Sequence, residues 1–160
     1  MTTTTRTSEI ARRTKETDVR LTLGLDGTGA GERSTGVGFF DHMLDLLARH
    51  GRLDLTVQVD GDLETGAHHT VEDTGIVLGQ ALDRALGDRV GIFRYGHAVV
   101  PMDEARASVS LDLSGRPFLA FEADLPPGGS GPGANATNGR PEMSIAHAAR
   151  ASSIGTTAWP

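Results

Sequence analysis

Residues 19–27 read V-R-L-T-L-G-L-D-G, and residues 107–115 read A-S-V-S-L-D-L-S-G. In the first stretch Val19, Leu21, Leu23 and Leu25 alternate with polar or small residues and stop at Asp26-Gly27, as a half-buried strand running into a turn does. In the second, Ala107, Val109, Leu111 and Leu113 keep the same spacing and close at Ser114-Gly115. Two such runs with matching punctuation predict an internal duplication. Alternation alone does not require one, because any strand with one buried face shows it.

Between these stretches the period changes. Gly31 to Gly38 reads as a second strand. Phe39 to His50 then takes helical spacing through Phe39, Phe40, Met43, Leu44, Leu46 and Leu47, with Gly51 as the stop. Leu53, Leu55, Val57 and Val59 predict a third strand ending at Asp60-Gly61. A second helix is expected from about His69 to Leu86, ending at Gly87, with Val71, Leu78, Ala81, Leu82 and Ala85 as its apolar stripe. Strands should return over residues 96–101, 107–113 and 117–123. From Pro126 the chain reads P-P-G-G-S-G-P-G-A-N-A-T-N-G-R-P, which breaks both periods; such sequence buries too little surface to offset its ordering entropy. The expected organisation is a first half-repeat at 1–90, the start of a second at 91–125, and a disordered Pro/Gly-rich tail at 126–160, with a turn or two of helix at 143–151.

Composition narrows the function. At 160 residues the chain has room for one ordinary core, and a hydrophobic share of 38% with 22% charged residues is that of a globular protein. A formal net charge of -6 with no basic run disfavours nucleic-acid partners. No apolar window approaches membrane-spanning length and the N-terminus lacks a signal-peptide core, so a cytoplasmic protein with no membrane partner is expected. With no cysteine, any metal must be held by imidazole and carboxylate.

That chemistry is concentrated in residues 67–73, A-H-H-T-V-E-D. At about 100° per residue, His68, His69 and Glu72 share one narrow helical arc, pointing away from the apolar stripe. Neighbouring imidazoles diverge and cannot easily chelate one ion, but each can serve a different one. The same residues also read as polar first-turn side chains, with Glu72 complementing the helix dipole. His42, beside Asp45 and Arg49, is the natural additional imidazole. Arg94 and Arg116 are candidate phosphate ligands, since guanidinium matches phosphate in a bidentate fork. Gly36-Val37-Gly38 before a helix would suit an anion.

Four segments together resemble imidazoleglycerol-phosphate dehydratase: T-G-V-G-F-F-D-H-M-L-D-L-L-A-R-H-G, H-H-T-V-E-D-T-G-I-V-L-G-Q-A-L, R-Y-G-H-A-V-V-P-M-D-E-A and D-L-S-G-R-P. The resemblance covers residues 10 to about 125. It implies an α+β fold of duplicated two-layer, sheet-plus-helices half-domains of the ribosomal protein S5 domain 2-like kind, the second half being incomplete here. It also implies a cubic-symmetry homo-oligomer and a pair of manganese ions, each held by histidines and a glutamate from neighbouring subunits. By match of motif, His42, His68, His69 and Glu72 would be metal ligands. Glu16, with Glu72, would serve as a catalytic acid/base or substrate-contacting group, and Arg94 and Arg116 would hold phosphate. The implied reaction is the dehydration of imidazole-glycerol phosphate to imidazole-acetol phosphate, a hydro-lyase step of histidine biosynthesis.

The chain also departs from that pattern. The second half of such enzymes carries its own histidine pair, glutamate and phosphate-binding lysine, whereas here His147 stands alone in I-A-H-A-A-R and Lys15 is the single lysine. The expectation is a product truncated or read in another frame from about Pro126, with an uncovered second sheet and weak or absent dehydratase activity. A non-catalytic metal- or phosphate-binding remnant is the alternative. A generic metal hydrolase and a nucleic-acid module are two further readings, the latter disfavoured by charge.

Overall fold

The computed structural model describes residues 6–113 and the backbone of residues 155–158. Its elements are β1 (Thr7–Arg13), β2 (Thr17–Gly24), β3 (Arg33–Ser34), α1 (Gly38–Gly51), β4 (Asp54–Gly61), a single 3-10 turn (Leu63–Thr65), α2 (His68–Leu86), β5 (Tyr95–Met102), β6 (Ala105–Asp112) and β7 (Gly155–Ala158). The architecture is α+β. One sheet runs β1-β2-β4-β3, antiparallel except for the short parallel edge strand β3. The other runs β5-β6-β7 and is antiparallel throughout.

The duplication is written into the register. The pair Thr7↔Gly24 at one end of the β1–β2 ladder recurs as Tyr95↔Asp112 in β5–β6, each partner displaced by 88 residues. The hairpins also close alike: Leu25 N donates to the Arg6 carbonyl at 2.9 Å, and Leu113 N to the Arg94 carbonyl at 2.7 Å. β7 lies beside β6 as β4 lies beside β2. The two alternating stretches are therefore the same strand of two copies of one hairpin.

In the first copy the alternation turns Val19, Leu21 and Leu23 of β2, Leu55 and Val57 of β4 and Ile10 of β1 to one face. Leu44 and Ala48 of α1 with Val77 and Ala81 of α2 complete that core. Fully burying a leucine or valine stabilises the fold by about 1.5–3 kcal/mol before entropic costs.

α2 packs on β1, β2 and β4, but only in part through the expected stripe, of which Ala81 and Ala85 are buried. Its buried face runs through Thr70, Asp73, Thr74, Val77, Ala81 and Ala85, and Val71, Leu78 and Leu82 are only half-buried. Small and polar residues replace the large apolar ones because the helix approaches the sheet closely. A Cβ on Gly61 would lie 2.2 Å from Thr70 Oγ1, and Ser8 Oγ donates to the Ala81 carbonyl at 2.7 Å.

Several other expectations need correction. β1 is a strand that no sequence pattern announces, because only Ser8 and Ile10 of its inner face are buried and one apolar side chain makes no pattern. Of Gly31 to Gly38 only Arg33 and Ser34 pair; Gly31 at φ +111° and Gly36 at φ +77° take the backbone out of extended geometry. α1 includes Gly51, and the left-handed residue that ends it is Arg52, at φ 54°, whose N–H turns back to the Ala48 and Arg49 carbonyls. α2, His68–Leu86, starts within one residue of its expected position and ends at Gly87 as expected. Within the stretch 126–160, expected to be disordered, Gly155–Ala158 forms β7. Ladder pairing needs only extended backbone, and the two β-branched threonines favour it. The expected strand at 117–123, the helical turn at 143–151 and Arg116 lie outside the described residues.

β5 and β6 are exposed along their whole length. Their register gathers Ala98, Val100, Met102, Ala105, Ala107, Val109 and Leu111 on one face, the counterpart of the face that the helices cover in the first copy. Among the described residues no helix is long and apolar enough to cross a membrane.

Candidate metal and catalytic site

The first turn of α2 carries both adjacent histidines, and each is held by a different carboxylate. His68 Nε2 lies 3.1 Å from Glu72 Oε2, one turn along the same helix. His69 Nδ1 lies 2.9 and 3.1 Å from the two oxygens of Asp62, at the end of β4. The two ring centroids are 5.5 Å apart with planes at 64°, so the rings diverge as their adjacency on a helix predicts. His68, His69 and Glu72 keep 31%, 42% and 20% of their side-chain surface exposed: accessible to a ligand, yet not free in solvent.

Two acidic residues that the sequence reading passed over hold this turn in place. Asp62 is one: besides His69, it receives Thr65 Oγ1 at 3.0 Å, and its own N–H donates to the Glu16 carbonyl at 3.0 Å. Burial pushes the Asp62 carboxyl up, but hydrogen bonds from His69 and Thr65 and the charge of His69 hold it below the ordinary carboxylate range. Asp73 is the other. It is buried at the β1–β2 turn, where it accepts the Thr17 hydroxyl and, at 3.4 Å, that of Thr14. Arg12 Nη1 is 2.7 Å away, close enough for an ion pair but outside hydrogen-bond geometry. The signal for Asp73 was its helical spacing from Thr70, Val77 and Ala81, which puts a carboxylate on the buried face; for Asp62 a contact seven residues away in sequence left no periodic trace.

Glu16 is exposed on the turn between β1 and β2, joined to the His69 corner through its carbonyl bond to Asp62. His42 is exposed on α1 and lines a separate open cleft of about 440 Å³ with Gly31, Glu32, Arg33, Ser34, Asp41 and Asp45. Its expected neighbours Asp45 and Arg49 are joined to each other at 3.1 Å, and Asp45 also takes the Arg33 guanidinium. Val37 precedes α1 without a side-chain cap; Thr35 and Asp41 bond across its first turn instead, at 2.7 Å. Arg94 is exposed just before β5. The 88-residue repeat pairs it with Arg6, which is neutralised by Asp26. The position equivalent to Asp26 is Ser114, so the second copy keeps the arginine without that acid.

The donor types fit a metal that accepts nitrogen and oxygen: two imidazoles and a carboxylate on one accessible turn. Among the described residues no three His, Asp or Glu side chains converge on one point that could hold an ion. Among the described residues the donors therefore stand in pairs, and His42 is not brought into a cluster with the histidine pair.

Residues 35–152 match the sequence family described as imidazoleglycerol-phosphate dehydratase. Curated proteins of that name are similar to this chain. That of Rhodopseudomonas palustris strain TIE-1 is 59% identical over 121 residues, covering 76% of this chain and 61% of the relative. That of Acetivibrio thermocellus is 61% identical over 117 residues, covering 73% and 60%. The chain thus spans about three fifths of the length of the curated relatives it matches. Among solved structures, imidazoleglycerol-phosphate dehydratase from Staphylococcus aureus N315 superposes with a TM-score of 0.76 at 32% identity, covering 94% of this chain and 81% of that one. The Pyrococcus furiosus enzyme in complex with (S)-C348 gives 0.71 at 30% identity, covering 92% and 76%. The family match reaches residue 152, beyond the limit near 125 that the motifs had set.

Proposed function

The chain belongs to the imidazoleglycerol-phosphate dehydratase family, and from that premise we propose that it contributes the first-half face of a hydro-lyase site acting on imidazole-glycerol phosphate. The observation that carries the proposal is the first turn of α2: two accessible imidazoles, each oriented by its own carboxylate, in a chain of this family. His68, His69 and Glu72 would hold divalent cations, manganese being the expected one, with His42 supplying a donor from a neighbouring copy in a homo-oligomer. A bound divalent cation supplies Lewis acidity and a template for the substrate's imidazole ring.

The remaining work falls to the chain's own groups. Arg94, which lacks the acid that neutralises Arg6, would take the substrate phosphate together with Arg116, so that binding energy fixes the reacting carbons. Glu16, on the corner that Asp62 shares with His69, is the carboxylate offered to the proton that leaves carbon as the hydroxyl is lost. The difficulty is that this proton has no adjacent carbonyl to acidify it, so a positioned base is required.

A second reading, metal or phosphate binding without turnover, is favoured by the donors standing in pairs among the described residues. Metal analysis of the purified chain in excess Mn²⁺, combined with a dehydration assay, separates the two. Bound metal with imidazole-acetol phosphate formed supports the hydro-lyase, and bound metal without product supports the second reading. A chain that takes up no Mn²⁺, forms no product and binds no inorganic phosphate overturns both.

A further inference from the structure

We infer that Asp62 is a positioning residue for His69. By accepting the ring's Nδ1–H it selects the tautomer whose Nε2 carries the free lone pair, making that nitrogen the one offered to a divalent cation. The inference rests on the reading of His69 as a ligand given above.

Three observations carry it. Both Asp62 oxygens lie within hydrogen-bond distance of one ring nitrogen, at 2.9 and 3.1 Å, so a small rotation of the carboxylate does not break the contact. The carboxylate is itself anchored: Thr65 Oγ1 donates to Oδ2 at 3.0 Å and to the Asp62 carbonyl at 2.9 Å, and the Asp62 N–H is tied to the Glu16 carbonyl. Finally, Gly61 lets the end of β4 reach the first turn of α2, since a Cβ there would meet Thr70 Oγ1. The contact is therefore imposed by the packing of strand on helix.

His68 shows the contrast. Its Nε2 is the nitrogen near a carboxylate, supplied by its own helix. The two adjacent imidazoles thus meet their carboxylates through opposite ring nitrogens, although both stand in the first turn of one helix. An unconstrained neutral imidazole prefers its proton on Nε2, so without Asp62 the nitrogen that His69 offers would more often be protonated. Carboxylates that orient a ligating histidine typically change metal affinity by about 10–100-fold.

The test uses the whole chain with ¹⁵N-labelled histidine. At about pH 8, where an ordinary imidazole is neutral, long-range proton–nitrogen correlation without metal reports the tautomer of His69, with His68 as internal control. The expected result is Nδ1–H in the native chain, a shift toward Nε2–H in Asp62→Ala with His68 unchanged, and a fall of about 10–100-fold in Mn²⁺ affinity. Asp62→Asn, whose amide oxygen can still accept Nδ1–H, should keep the tautomer and most of the affinity; it also decides the matter should the alanine variant fail to fold. An Nε2–H tautomer in the native chain, or unchanged Mn²⁺ affinity in a folded Asp62→Ala, overturns the inference. A native chain with the Nδ1–H tautomer that takes up no Mn²⁺ overturns the ligand reading instead, while leaving Asp62 as what sets the ring.

Discussion

Replacing Asp73 by alanine should loosen the helix that carries the histidine pair without touching either ring. Asp73 is only 8% exposed, and its carboxylate accepts the Thr17 hydroxyl beside the Arg12 guanidinium. Losing a hydrogen bond to a charged acceptor costs about 1.5–3 kcal/mol. Arg12 keeps a third of its side chain exposed and can turn to solvent, so its unpairing adds no more than about 1 kcal/mol. The expected total is about 2–4 kcal/mol, or at about 4 °C per kcal/mol a fall in Tm of about 8–16 °C. Asp73→Asn keeps an acceptor for Thr17 and should cost roughly half as much. Thermal unfolding followed by circular dichroism, with urea titration for the free energies, measures both. An alanine variant melting within about 2 °C of the native chain, or an asparagine variant as damaged as the alanine one, would refute the account of how α2 is held.

Other perturbations test the frame around the site. Leu21→Ala, at a position 1% exposed in the centre of β2, should lower the urea-unfolding free energy by about 2–5 kcal/mol. Gly31→Ala should destabilise by at least about 1 kcal/mol in the same titration, because φ is +111° and the new Cβ would meet the Leu55 carbonyl. Asp54 accepts the Thr28 and Ala30 backbone N–H groups, which hold its carboxyl low against the opposing effect of burial. Its folded pKa then lies below the unfolded value of about 3.9, so its contribution is complete above that value and is lost as pH falls through the folded pKa. In Asp54→Asn the decline of Tm below about pH 5 should be shallower than in the native chain.

The sequence determined the elements whose side chains repeat. Alternation at 19–25, 53–59 and 107–113 marked β2, β4 and β6, because a strand with one buried face must alternate. The spacing between the two copies already held the 88-residue duplication that the ladder registers display. The histidine pair and Glu72 were legible because adjacency and a four-residue interval fix their relation on any helix. Tertiary structure decided what repeats nowhere. The buried face of α2 is set by how closely a helix can approach this sheet, so Thr70, Asp73 and Thr74 are buried beside Ala81 and Ala85 while Val71, Leu78 and Leu82 of the expected stripe are only half-buried. β1 is a strand because β2 offers it a ladder, although its own side chains hardly ask for one. Asp62 belongs to the site only because β4 ends beside the first turn of α2; a hydrogen bond between two elements depends on where the backbone brings them, which no local pattern of residues records.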